Sequence, residues 1–301
     1  MPLLSRIFKA DSHMNTGDNG DLLTGAQVIF EAGRGAYWEL VRRIPLRFET
    51  HHPQGLALVG DRIFLSSVEV TEEPQRLPNA PWSTPGRGIG HVFVLDDEGR
   101  LLRDIRLESG DSYHPGGIAF DGTDVWVPVA EYRPASNAIV FTIDPITLES
   151  TERFRVRDHV SWIVSDAENG LLHGAGWGSR QFATWTHNGA ELDRWPNPSG
   201  FVDFQDAQYA GGGQVFCSGI AALPTQHGNA LYELGGIAIV DFPAHRVQRE
   251  MPVTMFSSAG HVVTRNPFAL TMDSDSVLMH VAPDDGMESR GTELLTYRTA
   301  K

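Results

Sequence analysis

The feature that most constrains this chain is a repeat. Four times over, three short apolar segments are followed by a charged, alternating one. The first unit reads "GLALVGDRIFLSSVEV" and then "GHVFVLDDEGRLLRDIRL" (55–70, 90–107). The second reads "GGIAFDGTDVWVPVAEY" and then "AIVFTIDPITLESTERFRV" (116–132, 138–156), and two more units follow at 161–196 and 207–253. Each has the pattern of a four-stranded antiparallel meander, with apolar inner strands and an outer strand whose alternate charges suit an exposed sheet edge. A fifth unit, "FALTMDSDSVLMHVAPDDG" with "ELLTYRT", holds three strands only. The stretch "AYWELVRRIPLRF" (36–48) has the charged, alternating character of the missing fourth. Pairing N- and C-terminal strands in one sheet is how a β-propeller closes its ring.

The pattern therefore predicts an all-β fold: a five-bladed β-propeller over residues 36–301, closed by a strand at about 36–48 and preceded by an extension, residues 1–35. A sixth blade, drawn from residues 1–50 or the long loops, and an unrelated β-sandwich are the alternatives. Turn signals every 8–12 residues, from 31 Gly and 18 Pro, agree with the all-β assignment. The best helical pattern lies at 20–34. Residues 71–89, "TEEPQRLPNAPWSTPGRGI", are rich in Pro and polar residues, and read as a long loop with no strand of its own. A loop of that length in a compact domain is commonly a lid or otherwise functional.

Charge and cysteine usage narrow the function. A net charge of −14 repels a nucleic-acid backbone and an anionic membrane surface. The single cysteine, Cys217, lies in "GGQVFCSGIAAL", a buried-strand pattern, and allows no internal disulfide. No signal-peptide pattern opens the chain and no apolar run is long enough to span a membrane. The expectation is a cytoplasmic protein that acts on a small molecule, with no nucleic-acid or membrane partner. The oligomeric state is open.

"HHPQGLAL" and "YHPGGIAF" place His52 and His114 at the same point of adjacent units, each followed seventeen residues later by a glutamate, Glu69 and Glu131. In a propeller the inner strand starts at one mouth of the channel, and the second strand returns to it. Each His–Glu pair is thus expected side by side at the rim. The other blades offer Asp158 and His159, then Asp203, Gln205 and Asp206, then Asn266 after His261, at the strand starts. Trp177, Ser218, Asp284 and Asp285 stand at the strand-two ends. Three imidazoles on one axis suit a divalent transition metal, so His52, His114 and His159 are expected to hold Zn, Fe or Mn, or the substrate. Glu69 and Glu131 are expected to act as acid/base groups or to orient the metal ligands, with Arg180 as a catalytic cation; Trp162, Trp177, Asp206 and Asn266 are expected to line the substrate. Five other histidines, at 173, 187, 227, 245 and 280, show no matching register and read as surface or core. "GRGIGH" and "GAGWGS" lack the strand–turn–helix setting of a dinucleotide site, so no nucleotide cofactor is expected.

The phrases "LRFETHHPQG", "YHPGGIAFDG", "VWVPVAEYRP", "WGSR" and "RNPFAL" resemble an uncharacterised family of bacterial and fungal β-propeller proteins, classed as a domain of unknown function. The resemblance covers most of residues 40–300 and implies the propeller fold, with no activity attached. A broader likeness is to lactonase propellers of the gluconolactonase and paraoxonase type, which bind Ca through Glu, Asn and Asp. This chain departs from them by writing His at the repeated position. The expected activity is metal-assisted hydrolysis of a lactone or ester, or a lyase or isomerase step. A metal-free acid/base or cyclase-type catalyst and a non-catalytic binding propeller are the alternatives.

Overall fold

The computed structural model describes residues 29–76, 84–225 and 231–299, apart from single residues at 32, 275 and 289. The expected helix at 20–34 falls mostly outside that range, as does His227; residues 29–31 are helical.

Five antiparallel sheets surround one axis. Blade 1 comprises β2 (His52–Val59), β3 (Arg62–Glu72), β4 (Arg87–Asp96) and β5 (Leu101–Arg106). Blade 2 comprises the interrupted inner strand β6 (His114–Pro115) and β7 (Ala119–Phe120), then β8 (Val125–Ala130), β9 (Ala138–Ile143) and β10 (Ser150–Val156). Blade 3 runs from β11 (Trp162–Asp166) through β12 (Leu171–Ala175) and β13 (Gln181–Thr186) to β14 (Glu191–Pro196). Blade 4 contains β15 (Asp203–Gly211), β16 (Gln214–Pro224), β17 (Leu231–Asp241) and β18 (Arg246–Val253). Blade 5 has β19 (Phe268–Asp273), β20 (Ser276–Val281) and β21 (Glu293–Thr299). Its fourth strand is β1 (Trp38–Pro45), antiparallel to β21 from Trp38 opposite Thr299 to Pro45 opposite Glu293. The fold is the five-bladed propeller, closed as the sequence predicts.

Strand parity explains why the ring holds. Phe64, Val92 and Val94 pack toward Val125, Val127 and Val129 of blade 2. Their alternates Leu65, Phe93 and Leu95 pack toward Leu46, Ala269 and Leu294 of blade 5. Side chains alternate faces along a strand, so every inner strand contributes to two cores at once. Three further clusters fill the remaining blade interfaces. Cys217 is buried in one of them, as expected. No helix among the described residues is long and apolar enough to cross a membrane.

Residues 71–89 are not wholly loop: β3 and β4 extend into them, with Glu72 opposite Arg87 and Glu69 opposite Ile89. The hairpin base rests on Tyr113, whose hydroxyl donates to the Pro85 carbonyl at 2.7 Å.

The axis is closed just beneath the mouth. A Cβ on Gly55 would stand 2.6 Å from the Ile118 nitrogen, and one on Gly117 would stand 2.7 Å from the Trp162 Cβ. Only glycine lets neighbouring inner strands approach so closely, which accounts for the glycines that follow His-Pro in both repeats. At the point of closest approach lies Asp206, fully buried. Its carboxylate accepts the backbone N–H groups of Leu56, Phe268 and Ala207, each at 2.9 Å, and that of Ile118. One side chain thereby ties blades 1, 2, 4 and 5 together. Burial pushes this carboxyl well above its ordinary value, while the four amides pull the other way.

Candidate active site

Above that floor lies a cavity of about 230 Å³ built from corresponding positions of all five blades. Four blades contribute i, i+2 pairs at the start of the inner strand, His52 with Gln54, His114 with Gly116, His159 with Ser161 and Asp203 with Gln205, and blade 5 contributes Asn266. Tyr132 and Trp177 lean in from the loops after β8 and β12.

Bulges shape this ring. Below them, β2 pairs with β3 so that Gly55 faces Ser66; above, Pro53 faces Ser67 and His52 faces Val68. One extra residue, Gln54, sits in the gap. Blade 4 repeats the device: Phe204 faces Gly219 and Asp206 faces Ser218, leaving Gln205 as the extra residue. In blade 2 the ladder breaks between Pro115 and Ala119. A bulge re-aims side chains at the end of a sheet, and both bulge glutamines line the cavity.

The same bulges separate the expected His–Glu pairs. On an unbroken ladder His52 would face Glu69 and His114 would face Glu131. The register instead gives Val68 and Ala130. Glu69 turns to the blade-5 side of blade 1, beside His51 and His91. Glu131 is buried and takes Asn137 Nδ2 at 2.6 Å and Arg133 Nε at 2.7 Å, which braces the loop after β8. Neither carboxylate lines the cavity.

The acid that does serve His52 comes from across the ring closure. His52 Nδ1 lies 2.6 Å from Asp285 Oδ1, and Arg265 Nη2 holds the other carboxylate oxygen at 3.1 Å. Burial alone raises the Asp285 carboxyl, but the hydrogen bond and charge of His52, with Arg265, outweigh it and hold it below its ordinary value. An ionised carboxylate on Nδ1 fixes the proton there and leaves Nε2 with its lone pair.

The other two imidazoles are kept neutral. Burial, then the neighbouring His159 and His52, pushes His114 well below the ordinary histidine value. Burial pulls His159 down to about 4. His159 Nδ1 donates to the Glu131 carbonyl at 3.0 Å. The His114 ring stacks on Tyr132 with centroids 4.4 Å apart, and Trp177 meets His159 edge-on at 4.8 Å. The rings of His114 and His159 stand 6.4 Å apart. His52, His114 and His159 thus share one cavity, although their donor nitrogens do not all come within 4.8 Å of one another.

The remaining predicted residues divide. Trp177 and Asn266 line the cavity. Trp162 does not: it is fully buried against Phe182 and Phe242, its Nε1 donating to Ser179 at 3.1 Å. Asp206 lies beneath the floor. Arg180 sits at the outer rim, donating to the carbonyls of Gly178, Ser199 and Val202 and pairing with Asp203 at 2.8 Å. Residues absent from the sequence-based set include Gln54, Tyr132 and Ser161. The i, i+2 relation to the rim histidines was a signal for Gln54 and Ser161; Tyr132 follows Glu131 directly.

The model of DUF6454, a family of unknown function, matches residues 25–299. No curated protein matches the chain. Among solved structures, the chain is similar to a protein of unknown function from Bacteroides caccae, at 10% identity and a TM-score of 0.43, covering 80% of this chain and 74% of that one. A DUF4221 family member from Bacteroides vulgatus aligns at 7% identity and a TM-score of 0.40, over 87% and 97% of the two chains. A chain of a nidogen/laminin complex aligns at 11% identity and a TM-score of 0.40, over 67% and 80%.

Proposed function

We propose, for a chain that belongs to the DUF6454 family and takes no activity from it, that the mouth cavity is the active site of a small-molecule enzyme working by general acid–base chemistry. The observation that carries this is the His52–Asp285 pair at 2.6 Å beside two further imidazoles in one cavity. An imidazole oriented by a carboxylate on Nδ1 presents Nε2 as a general base. Asn266 and Tyr132 supply N–H and O–H donors in the cavity that can hydrogen-bond a developing oxyanion. The volume, about 230 Å³, suits a compact metabolite. Hydrolysis of a small lactone or ester fits best: His52 takes a proton from water as the water attacks the acyl carbon, and returns that proton to the departing oxygen as the acyl C–O bond breaks.

A metal-assisted version is the second reading, since burial keeps His114 and His159 in the neutral state that binds Zn, Fe or Mn. A panel of small lactones and esters, assayed with and without chelator, tests both. Turnover that survives chelator and is lost in His52→Gln supports the acid–base reading. Turnover abolished by chelator moves the reading to the metal. Equal turnover by His52→Gln and wild type, or none across the panel, overturns the hydrolase.

A further inference from the structure

A second cluster of ligating side chains lies outside the cavity, on the blade-5 side of blade 1. Glu69 Oε2 is 3.7 Å from His91 Nε2 and 3.9 Å from His51 Nε2, and the donor atoms of all three lie within 4.8 Å of one another. We propose that His51, Glu69 and His91 form a binding site for one divalent transition ion of the zinc type, independent of the cavity.

Three observations converge on it. First, His91 is 3% exposed, yet its Nε2 has no hydrogen-bond partner. A buried nitrogen left unsatisfied calls for an explanation, and this one is aimed at Glu69. Secondly, the opposite nitrogen of the same ring, Nδ1, lies 2.9 Å from Asp104 Oδ1. A carboxylate on one nitrogen fixes the proton there and turns the other into a lone-pair donor, the arrangement found behind metal-bound histidines. Thirdly, His51 adopts a left-handed backbone, with φ of 55°, which is unfavourable for a residue bearing a Cβ. That conformation is the one in which its ring stacks on His91, centroids 5.0 Å apart. Strain of this kind concentrates where a side chain must be held in place.

The donor set selects the ion. Two imidazoles and one carboxylate suit Zn²⁺ and its neighbours, whereas Ca²⁺ and Mg²⁺ prefer oxygen. Donors about 2.1 Å from Zn²⁺ stand about 3.4 Å apart in a tetrahedron, so side-chain shifts of about an ångström close the set. Glu69 is 36% exposed at its side chain, which leaves the remaining position open to water. Among the described residues, the ion-pair partners of Glu69 are His51 and His91.

The location gives the ion a structural consequence. His51 belongs to the segment joining β1, the closing strand of blade 5, to β2 of blade 1. Glu69 and His91 belong to β3 and β4. An ion here fastens the closing segment to the first blade. Gly286 N also donates to the His51 carbonyl at 2.7 Å, next to the residue that orients His52.

Calorimetric titration of chelator-stripped, untagged full-length protein with Zn²⁺ tests this, read together with thermal melts. One equivalent should bind, and the melting temperature should rise by about 5 °C at a hundredfold excess over Kd. Glu69→Gln and His91→Ala should abolish the uptake, and Asp104→Asn should weaken it roughly 10–100-fold. His114→Gln should leave it unchanged. Because His91 is buried, partly exposed Glu69→Gln is the decisive variant. Uptake below about 0.2 equivalents overturns the proposal, as does uptake that survives Glu69→Gln or disappears in His114→Gln.

Discussion

His52 and Asp285 lie 233 positions apart in the chain, and their side chains meet at 2.6 Å because the propeller closes between them. His52 opens the first blade and Asp285 follows the second strand of the last. Asp285→Asn should therefore separate orientation from folding. The amide keeps the shape but presents either an N–H or a weaker acceptor to Nδ1, so the imidazole tautomer is no longer fixed. Turnover in the cavity should fall about 10²–10⁴-fold with KM little changed. Steady-state kinetics on whichever panel substrate is turned over provides the check. An unchanged kcat would remove His52–Asp285 from the chemistry.

The architecture was legible because it is written as a pattern. Phe64 and Leu65 each face a different neighbour, and that alternation repeats blade by blade beside outer strands that stay charged. The ring of His52, His114 and His159 was legible for the same reason: a fixed offset from the start of each unit marks one height on the axis. Their acids were not. A single bulge residue, Gln54, turns Glu69 from a partner of His52 into a partner of His51 and His91. The side-chain period of a strand is two, so a slip of one exchanges the faces. Nothing local to "HPQG" announces that slip. Asp206 differs for a related reason: a carboxylate at a strand start reads as a rim ligand, while its role depends on three amides from other blades and that of Ala207 beside it.

Neutral buried histidine makes stability depend on acid. His159 titrates at about 4 in the folded chain against an ordinary value of 6.5. Between those values the unfolded chain binds a proton that the folded chain refuses. Folding is therefore weakened as pH falls through that window, by about 1.4 kcal/mol per pH unit for one such group. His159→Gln keeps a donor for the Glu131 carbonyl and removes the titration. Urea denaturation at pH 7, 6 and 5 should show the variant converging on the wild type as pH falls. Parallel stability curves would show that His159 is not held neutral.

Asp206 should be the most sensitive polar position in the fold. Asp206→Ala leaves the amides of Leu56, Ile118, Ala207 and Phe268 without their acceptor at a site closed to solvent. An unsatisfied buried donor costs about 1–3 kcal/mol, so the combined loss should exceed about 3 kcal/mol. Asp206→Asn retains one carbonyl oxygen and should fall between the two. Denaturant titration of the three proteins gives the order. A stable alanine variant would mean that the inner strands hold one another without the central carboxylate.

Ring closure rests on β1, and Trp38 shows how. It is 8% exposed and packs in the cluster that joins blades 4 and 5, with Met279 and Tyr297, while β1 pairs along its length with β21. Its neighbour Tyr37 is 68% exposed. Trp38→Ala opens a large void and loosens the strand that completes the sheet, so it should destabilise by about 3–5 kcal/mol. Tyr37→Ala removes an aromatic ring of similar chemistry from the surface and should stay within about 0.5 kcal/mol of the wild type. Urea unfolding of the pair isolates burial from composition. Equal, small losses in both variants would show that the ring closes through the hydrogen bonds between β1 and β21 rather than through the side chain Trp38 buries.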